Sequence, residues 1–248
     1  MTDALLARIV RASEESLGDG LTGVYLHGSL AGGGFRWEAG DIDLLAVVRR
    51  APAQREKEAL IRALMLLERD APPKGIEMSV VRAEVLRPLV HPTPFELHYS
   101  PAHRAKAAAD LSAYCRDMHG DDPDLAAHAA MTRHAGRVLA GAPIGSVFGE
   151  VPRAAMLDSI RCDLDGAETA IAANPVYLTL NLCRAVAYVR HGLLLTKAEG
   201  GAWALAHLPE AHHGCIRAAL DAYTSGAPVD PALPWQAFAR FGLSAIGA

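Results

Sequence analysis

The segment over residues 26–45, LHGSLAGGGFRWEAGDIDLL, constrains the fold of this chain more than any other. An apolar strand runs into a glycine-rich turn, and a second apolar strand follows with two aspartates. Because alternate residues of a strand share a face, we expect Asp41 and Asp43 to point together while Ile42 and Leu44 face a core. Two like charges on one face repel each other. A hard divalent cation such as Mg²⁺, which prefers carboxylate oxygens, would relieve that repulsion.

The turn between the two strands offers groups that suit a phosphate. Gly28 has no side chain to obstruct the approach of a ligand to the backbone, and Ser29 supplies a hydroxyl and an N–H donor. Each part also has an ordinary structural interpretation, because a lone Asp-x-Asp is commonly a solvated strand edge and a lone Gly-Ser a plain turn. Joined, with an apolar strand on each side, they favour a site for a metal and a phosphate.

Composition excludes several classes of protein. The chain has 248 residues, with 28 acidic and 24 basic side chains and a net charge of −4. A dedicated nucleic-acid-binding protein usually shows a strong basic excess, so we expect no nucleic-acid partner. The N-terminal segment predicts an amphipathic helix rather than a signal peptide, and no apolar run reaches the length of a membrane span. We therefore expect a cytoplasmic protein with no membrane partner and reduced cysteines.

Helical and strand patterns alternate in the first half of the chain, and helical patterns dominate the second. The patterns predict helices over residues 3–17, 53–69 and 122–139, and strands over residues 24–27, 41–48, 76–81 and 95–99. This order predicts an α+β fold. We expect an N-terminal domain over residues 1–149, with a small mixed sheet flanked by helices, and a C-terminal helical bundle over residues 150–248. A Gly/Pro-rich segment that ends near Gly149 marks the boundary.

Three charged residues outside the turn are candidates for a site. Glu77 lies on the strand over residues 76–81 and faces away from its apolar neighbours, so it needs either a polar cleft or solvent. Lys197 follows Thr196 in a capping box, so it lies in the first turn of a helix, where anions are favoured; an ordinary surface lysine is the alternative.

The third charged candidate lies on a predicted helix over residues 174–192. This helix begins with an N-cap asparagine and a proline and ends at a glycine. Four residues spaced three or four apart share one polar face of it: Tyr177, Asn181, Arg184 and Tyr188. The arginine on this face indicates either an anionic ligand or a pairing with a structural carboxylate.

The Gly28-Ser29 turn followed by Asp41-Ile-Asp43-Leu resembles the signature of nucleotidyltransferases related to DNA polymerase beta. With the segments GIEMSVV, HPTPFELHYS, NLCRAVAYVRHG and LTKAEGGAWALAHLP, nearly the whole chain is similar to the aminoglycoside adenylyltransferases, in particular the streptomycin/spectinomycin 3''-adenylyltransferases. The resemblance implies Mg²⁺-dependent transfer of AMP from ATP to a hydroxyl of an aminoglycoside or aminocyclitol antibiotic. Pyrophosphate would be released, and the modification would confer resistance.

The resemblance also implies roles for the candidates. Asp41 and Asp43 would hold two Mg²⁺ ions on the triphosphate of the co-substrate ATP, and Glu77 would act as the general base. The implied nucleotide-binding residues are Gly28, Ser29, Arg184 and Lys197. The implied residues for the cationic drug are Glu77, Glu96, Asn174 and Tyr177, with Asp163 and Asp165 as further candidates. The second domain would complete the nucleotide and substrate site, and we expect a monomer.

Three departures from the family concern the acceptor. Streptomycin-modifying relatives carry a tryptophan just after the strand over residues 95–99, where this chain has Ser-Pro-Ala-His103. They also carry an acid where Asn174 stands and usually a serine where Gly40 stands. His103 and Trp37 are candidates for the missing acceptor surface. The alternatives are a nucleotidyltransferase that modifies a protein or another small-molecule hydroxyl, or a catalytically decayed nucleotide-binding protein.

Overall fold

The computed structural model describes residues 2–247. The chain divides into two compact units, Met1–Met156 and Leu157–Ala248. The described strands are β1 (Leu21–Leu26), β2 (Ile42–Val48), β3 (Ile76–Arg82), β4 (Thr93–Phe95), β5 (Leu97–Tyr99), β6 (Gly120–Asp122) and β7 (Arg137–Gly141). The described α-helices are α1 (Thr2–Leu17), α2 (Gly28–Ala31), α3 (Gln54–Leu67), α4 (Arg104–Ala109), α5 (Leu111–Asp117), α6 (Leu125–Ala135), α7 (Ile144–Val147), α8 (Arg153–Asp163), α9 (Ala167–Ala170), α10 (Pro175–His191), α11 (Lys197–His207), α12 (His213–Ser225) and α13 (Trp235–Ile246).

The first unit is built on a five-stranded mixed sheet in the order β5-β3-β2-β1-β7. The pairing of β2 with β3 is parallel, and the other pairings of this sheet are antiparallel. A second sheet pairs β4 with β6. The parallel register places Asp43 directly beside Glu77. With the helical second unit, this arrangement confirms the predicted α+β class.

Alternation along the strands gives the sheet two apolar faces. One face buries Ile42, Leu44 and Met78 in a core that α1 and α3 cover. The opposite face buries Leu45 and Val47 in a second core. Asp43 and Glu77 belong to this second face, at the beginning of their strands, where the apolar packing gives way to polar side chains.

Two of the predicted elements were wrong in their extent. The predicted helix over residues 122–139 ends at Ala135, where the Gly136 N–H donates to the Thr132 carbonyl and the backbone turns extended. The following residues form β7 and pair with β1. The predicted strand over residues 95–99 is two short strands, because β4 pairs with β6 while β5 pairs with β3.

The division between the units lies beyond the predicted boundary near Gly149. Phe148 is fully buried with its ring edge against Tyr25 at 4.9 Å, and the Gly149 N–H donates to the Leu86 carbonyl at 2.8 Å. This Gly/Pro-rich segment therefore packs on the first unit, and the division follows within α8, after Met156.

The second unit is a helical bundle around α10, which packs against α11, α12 and α13. Leu178, Leu182 and Val186 form the apolar stripe of α10 and are buried in the core of this unit. From residue 2 to residue 247, no helix has both the length and the apolar character needed to cross a membrane.

Candidate active site

Three acidic side chains converge where β2 and β3 begin. One carboxylate oxygen each from Asp41, Asp43 and Glu77 lies within 4.8 Å of the others. The parallel register brings Asp43 beside Glu77, and the strand alternation puts Asp41 on the same side as Asp43. The structure therefore brings together the three acids that the sequence singled out.

Position 28 requires glycine because the backbone there lies close to one of these acids. Its φ is +63°, and a Cβ atom placed there would lie 1.7 Å from Oδ2 of Asp43. The neighbouring His27 N–H donates to the Asp43 carbonyl at 3.0 Å, which holds the turn against β2. Any side chain at position 28 would thus displace the Asp43 carboxylate, a reason for glycine that is additional to the approach of a phosphate.

The Ser29 hydroxyl has no hydrogen-bond partner within the described residues, although its Oγ is buried. The loop around it is fixed by backbone bonds, from Gly32 N–H to the Gly28 carbonyl at 3.1 Å and from Gly34 N–H to the Ser29 carbonyl at 3.0 Å. A buried hydroxyl without a partner costs roughly 1–3 kcal/mol. A ligand oxygen bonded to Ser29 would remove that cost.

The surroundings of Glu77 favour its protonated form. Burial raises the pKa of Glu77 above its ordinary value, and the negative charges of Asp41, Asp124 and Asp122 act in the same direction against the nearby His128. A raised pKa brings a carboxylate closer to neutral pH, where a general base is most effective.

His128 on α6 is a site neighbour that sequence reasoning missed. Its Nε2 lies 3.2 Å from Oδ2 of Asp124, and its ring is 4.7 Å from the ring of His27. Burial acts to lower the pKa of His128, but the facing carboxylates of Asp124, Glu77 and Asp43 outweigh it and raise that pKa to about 9. The sequence could have indicated the pairing of Asp124 with His128, because residues four apart on a helix are neighbours.

The predicted polar face of α10 exists in the second unit and is organised by Asp163. The Tyr177 hydroxyl donates to Oδ1 of Asp163 at 2.7 Å, and the Asn181 side-chain amide donates to Oδ2 at 3.0 Å. Arg184 in turn donates to Oδ1 of Asn181 at 3.2 Å. The Lys197 ammonium lies 4.7 Å from the centre of the Tyr177 ring.

The capping box that places Lys197 is confirmed. The Glu199 N–H donates to the Thr196 hydroxyl at 3.3 Å, and the Thr196 N–H donates to the Glu199 carboxylate at 2.8 Å. Trp203 stacks on the His207 ring at 4.7 Å and packs against the core of the second unit. Lys197 therefore lies in the first turn of α11, as the sequence predicts.

The remaining predicted drug-binding residues differ in how their side chains are engaged. Glu96 is only 18% exposed and forms an ion pair with Arg82 at 2.8 Å. Asn174 stands at the N-cap position of α10, but its side chain makes no capping hydrogen bond and the residue is exposed. The Tyr177 hydroxyl is held by Asp163.

Comparison with known proteins gives matches along the chain. A family model described as the aminoglycoside adenylyltransferase C-terminal domain matches residues 146–241. A spectinomycin 9-adenylyltransferase from Staphylococcus aureus strain Mu50 is 26% identical over 206 residues, which cover 80% of this chain and 76% of that protein. The crystal structure of spectinomycin adenyltransferase AAD(9) from Enterococcus faecialis, with ATP and spectinomycin, matches 99% of both chains with a TM-score of 0.85 at 17% identity.

These matches agree with one another. The structural likeness shows that the whole chain has the fold of an adenylyltransferase. An alignment over 80% of the chain includes parts of both units, so the sequence relationship is not confined to the C-terminal domain. Together these comparisons support an enzyme similar to the aminoglycoside adenylyltransferases, with the family-model match lying in residues 146–241.

Proposed function

We propose that this enzyme transfers AMP from ATP to a hydroxyl of a spectinomycin-type aminocyclitol, releases pyrophosphate, and so confers resistance to the drug. The observation that carries the proposal is the convergence of Asp41, Asp43 and Glu77 within 4.8 Å. The two named relatives are spectinomycin adenylyltransferases, which favours spectinomycin over streptomycin as the acceptor.

The residues present fit Mg²⁺. Three converging carboxylates are the oxygen donors that this cation prefers, and it commonly binds through carboxylates together with substrate phosphates. Asp41 and Asp43 would hold the ions. When bound, Mg²⁺ would stabilise the charge that develops on the attacking and leaving oxygens of a phosphoryl transfer.

Glu77 serves as the general base in this proposal. Its carboxylate accepts the proton of the acceptor hydroxyl, and the resulting oxygen attacks the α-phosphorus of ATP. A bond forms between the acceptor oxygen and the α-phosphorus, the bond to the bridging oxygen of the β-phosphate breaks, and pyrophosphate leaves. The raised pKa of Glu77, due first to burial and then to the neighbouring acids, suits it to receive that proton.

The phosphates of ATP would be bound by groups that carry positive charge or lack a partner. The buried Ser29 hydroxyl donates to a phosphate oxygen, and the neighbouring Gly28, which lies against the Asp43 carboxylate, keeps this turn beside the acids. Arg184 and Lys197 of the second unit carry cationic donors of the kind that bind phosphate.

For the acceptor, Asn174 is the stronger of the remaining candidates. Its side chain is exposed and makes no capping bond, so its amide is available to hydroxyl and ammonium groups. The carboxylate of Glu96 is engaged by Arg82, and the hydroxyl of Tyr177 by Asp163, so each would have to exchange a partner to bind the drug.

The test is pyrophosphate release by the purified enzyme with ATP, Mg²⁺ and one drug at a time. We expect release with spectinomycin, a product heavier than the drug by one AMP group, and none when the drug or Mg²⁺ is omitted. Glu77→Gln is the matched inactive variant. Failure with spectinomycin, streptomycin and other aminoglycosides alike would overturn the acceptor class, and release without Mg²⁺ would overturn the metal requirement.

A further inference from the structure

Both carboxylate oxygens of Asp163 are engaged by one neighbouring helix. It is the last residue of α8, and its two oxygens accept hydrogen bonds from Tyr177 and Asn181, four residues apart on α10. Hydrogen bonds to an ionised acceptor are stronger than those between neutral groups. Asp163 therefore fixes the orientation of two side chains on the same helical face.

Asn181 connects Asp163 to Arg184. A side-chain amide has a donor end and an acceptor end, and its orientation decides which end a neighbour meets. Asn181 is 7% exposed and directs its N–H₂ group to Asp163, so its oxygen faces Arg184. Without an acceptor at position 163, the amide could rotate and present its own donor to the guanidinium, which would displace Arg184.

Tyr177 connects Asp163 to Lys197. The Tyr177 ring is anchored through its hydroxyl to Asp163, and the Lys197 ammonium lies over that ring at 4.7 Å from its centre. A cation over an aromatic face is attracted to it, so the position of the ring influences the position of the ammonium.

The packing of α11 on α10 also depends on this arrangement. Gly200 lies opposite Arg184, and a Cβ atom there would come within 2.6 Å of its Cγ. The arginine stem therefore runs along a surface that only a glycine leaves open, which restricts the paths that the guanidinium can take.

We propose that Asp163 is a positioning residue that orients Arg184, through Asn181, and Lys197, through Tyr177, for the phosphates of ATP. The inference rests on the proposed function. It assigns Asp163 to the orientation of other side chains instead of to direct contact with the drug.

The test compares Asp163→Asn with the wild-type enzyme by steady-state kinetics. The substitution removes the charge and one acceptor while keeping the size of the side chain. We expect the KM for ATP to rise about tenfold, the size of one lost charge-assisted hydrogen bond, and kcat to change much less. Glu168→Gln is the matched control, because Glu168 is a surface acid of the same unit, paired with Arg240, and its ATP KM should stay at the wild-type value.

A second comparison separates positioning from general stability. In an Arg184→Gln/Lys197→Gln background, Asp163→Asn should change the ATP KM less than about twofold, because the cations it positions are gone. An equal effect in both backgrounds would overturn the inference. If circular dichroism shows that Asp163→Asn does not fold, Tyr177→Phe and Asn181→Ala each remove one branch, and both should raise the ATP KM.

The outcomes distinguish this inference from the proposed function. A wild-type enzyme that releases no pyrophosphate from ATP with any drug contradicts the proposed function. An active wild-type enzyme together with an unchanged ATP KM in folded Asp163→Asn, or in both branch variants, contradicts the positioning role alone.

Discussion

The two units of this enzyme place carboxylates in opposite electrostatic settings. In the first unit, Asp41, Asp43 and Glu77 lie within 4.8 Å of one another, so like charges face like charges. In the second unit, Asp163 accepts hydrogen bonds from Tyr177 and Asn181, so each of its oxygens has a donor. The first arrangement favours a ligand that brings positive charge, whereas the second is satisfied by the protein itself.

This difference indicates which acids contribute to stability and which reduce it. Repulsion among converging carboxylates destabilises a fold unless a cation compensates it, and functional sites commonly carry such a cost. Carboxylates with donors stabilise the elements that they join. The comparison therefore predicts opposite signs for the stability effects of removing charge in the two settings.

The largest expected effect is the loss of activity on removing one charge from the acid cluster. Asp43→Asn should lower kcat by on the order of 10³-fold or more, because it removes a proposed ligand of Mg²⁺. Asp41→Asn should raise the unfolding temperature, because the negative charge of Asp41 acts against the ionised form of Glu77. Pyrophosphate release and thermal unfolding measure the two effects, with Asp19→Asn as a surface control. A lower unfolding temperature in Asp41→Asn would contradict the assigned cost of the cluster.

Gly28→Ala tests the packing of the turn against the cluster. The added Cβ would collide with Oδ2 of Asp43, and the φ of +63° is unfavourable for alanine. We expect a stability loss of about 2–3 kcal/mol and a strong loss of activity. Gly18→Ala is the matched control, since Gly18 has a φ of +52° and no atom within 4 Å of an added Cβ.

Chemical denaturation measures the stability difference between these two glycine variants. The control should lose only about 1–2 kcal/mol and keep its activity. Equal losses in the two variants would show that the backbone conformation alone explains the requirement for glycine at position 28.

Mg²⁺ should stabilise the first unit by binding its acids. A cation at 100 times its dissociation constant adds about 2.7 kcal/mol to the free energy of unfolding. We expect the unfolding temperature of the wild-type protein to rise with Mg²⁺ and to fall back when it is chelated. The shift should disappear in Asp41→Asn/Asp43→Asn and persist in Asp163→Asn. A shift that survives in the double variant would place the cation elsewhere.

The smallest expected effect concerns Glu56, an acid that is paired with Arg50 and belongs neither to the acid cluster nor to the surroundings of Asp163. The Arg50 guanidinium donates to Glu56 at 2.8 Å and holds the pKa of that carboxyl at about 2, below its ordinary value of 4.5. Because the folded pKa lies below the unfolded one, this contribution to stability is present above pH 4.5 and is lost as the pH falls toward 2.

Glu56→Gln should therefore destabilise the protein by about 0.2–1 kcal/mol at neutral pH, the range of a surface ion pair. Denaturant unfolding at several pH values should show the difference between the variant and the wild type narrowing below pH 4.5. A difference that stays constant down to pH 2 would assign the effect to something other than the charge of Glu56.

The sequence predicts much of the acid cluster because its geometry follows from local rules. Strand alternation puts Asp41 and Asp43 on one face, and the pattern of the Gly-Ser turn with its following strand is specific enough to suggest the family. Glu77 could be placed on the next strand, although its register beside Asp43 depends on the parallel pairing of β2 with β3. Such local features need only residues that are close in the chain.

Other features depend on contacts that the local sequence does not specify. The strand β7 follows a helix after a single glycine, and only its pairing with β1 decides that it is extended. His128 becomes a site residue because α6 packs over the sheet face that carries Glu77 and Asp43. The engagement of Asp163 with α10 likewise joins two helices that are separate in the sequence.

The central claim is that Asp41 and Asp43 hold the divalent cation that accompanies ATP. Crystals grown with Mn²⁺ and an ATP analogue whose α,β-bridge is a methylene group allow the metal to be located by its anomalous scattering. The account predicts anomalous density bonded to oxygens of Asp41 and Asp43, at about 2.0–2.2 Å, and to the analogue's phosphates. Analogue bound with no metal on these two aspartates, or metal bound only elsewhere, would contradict it.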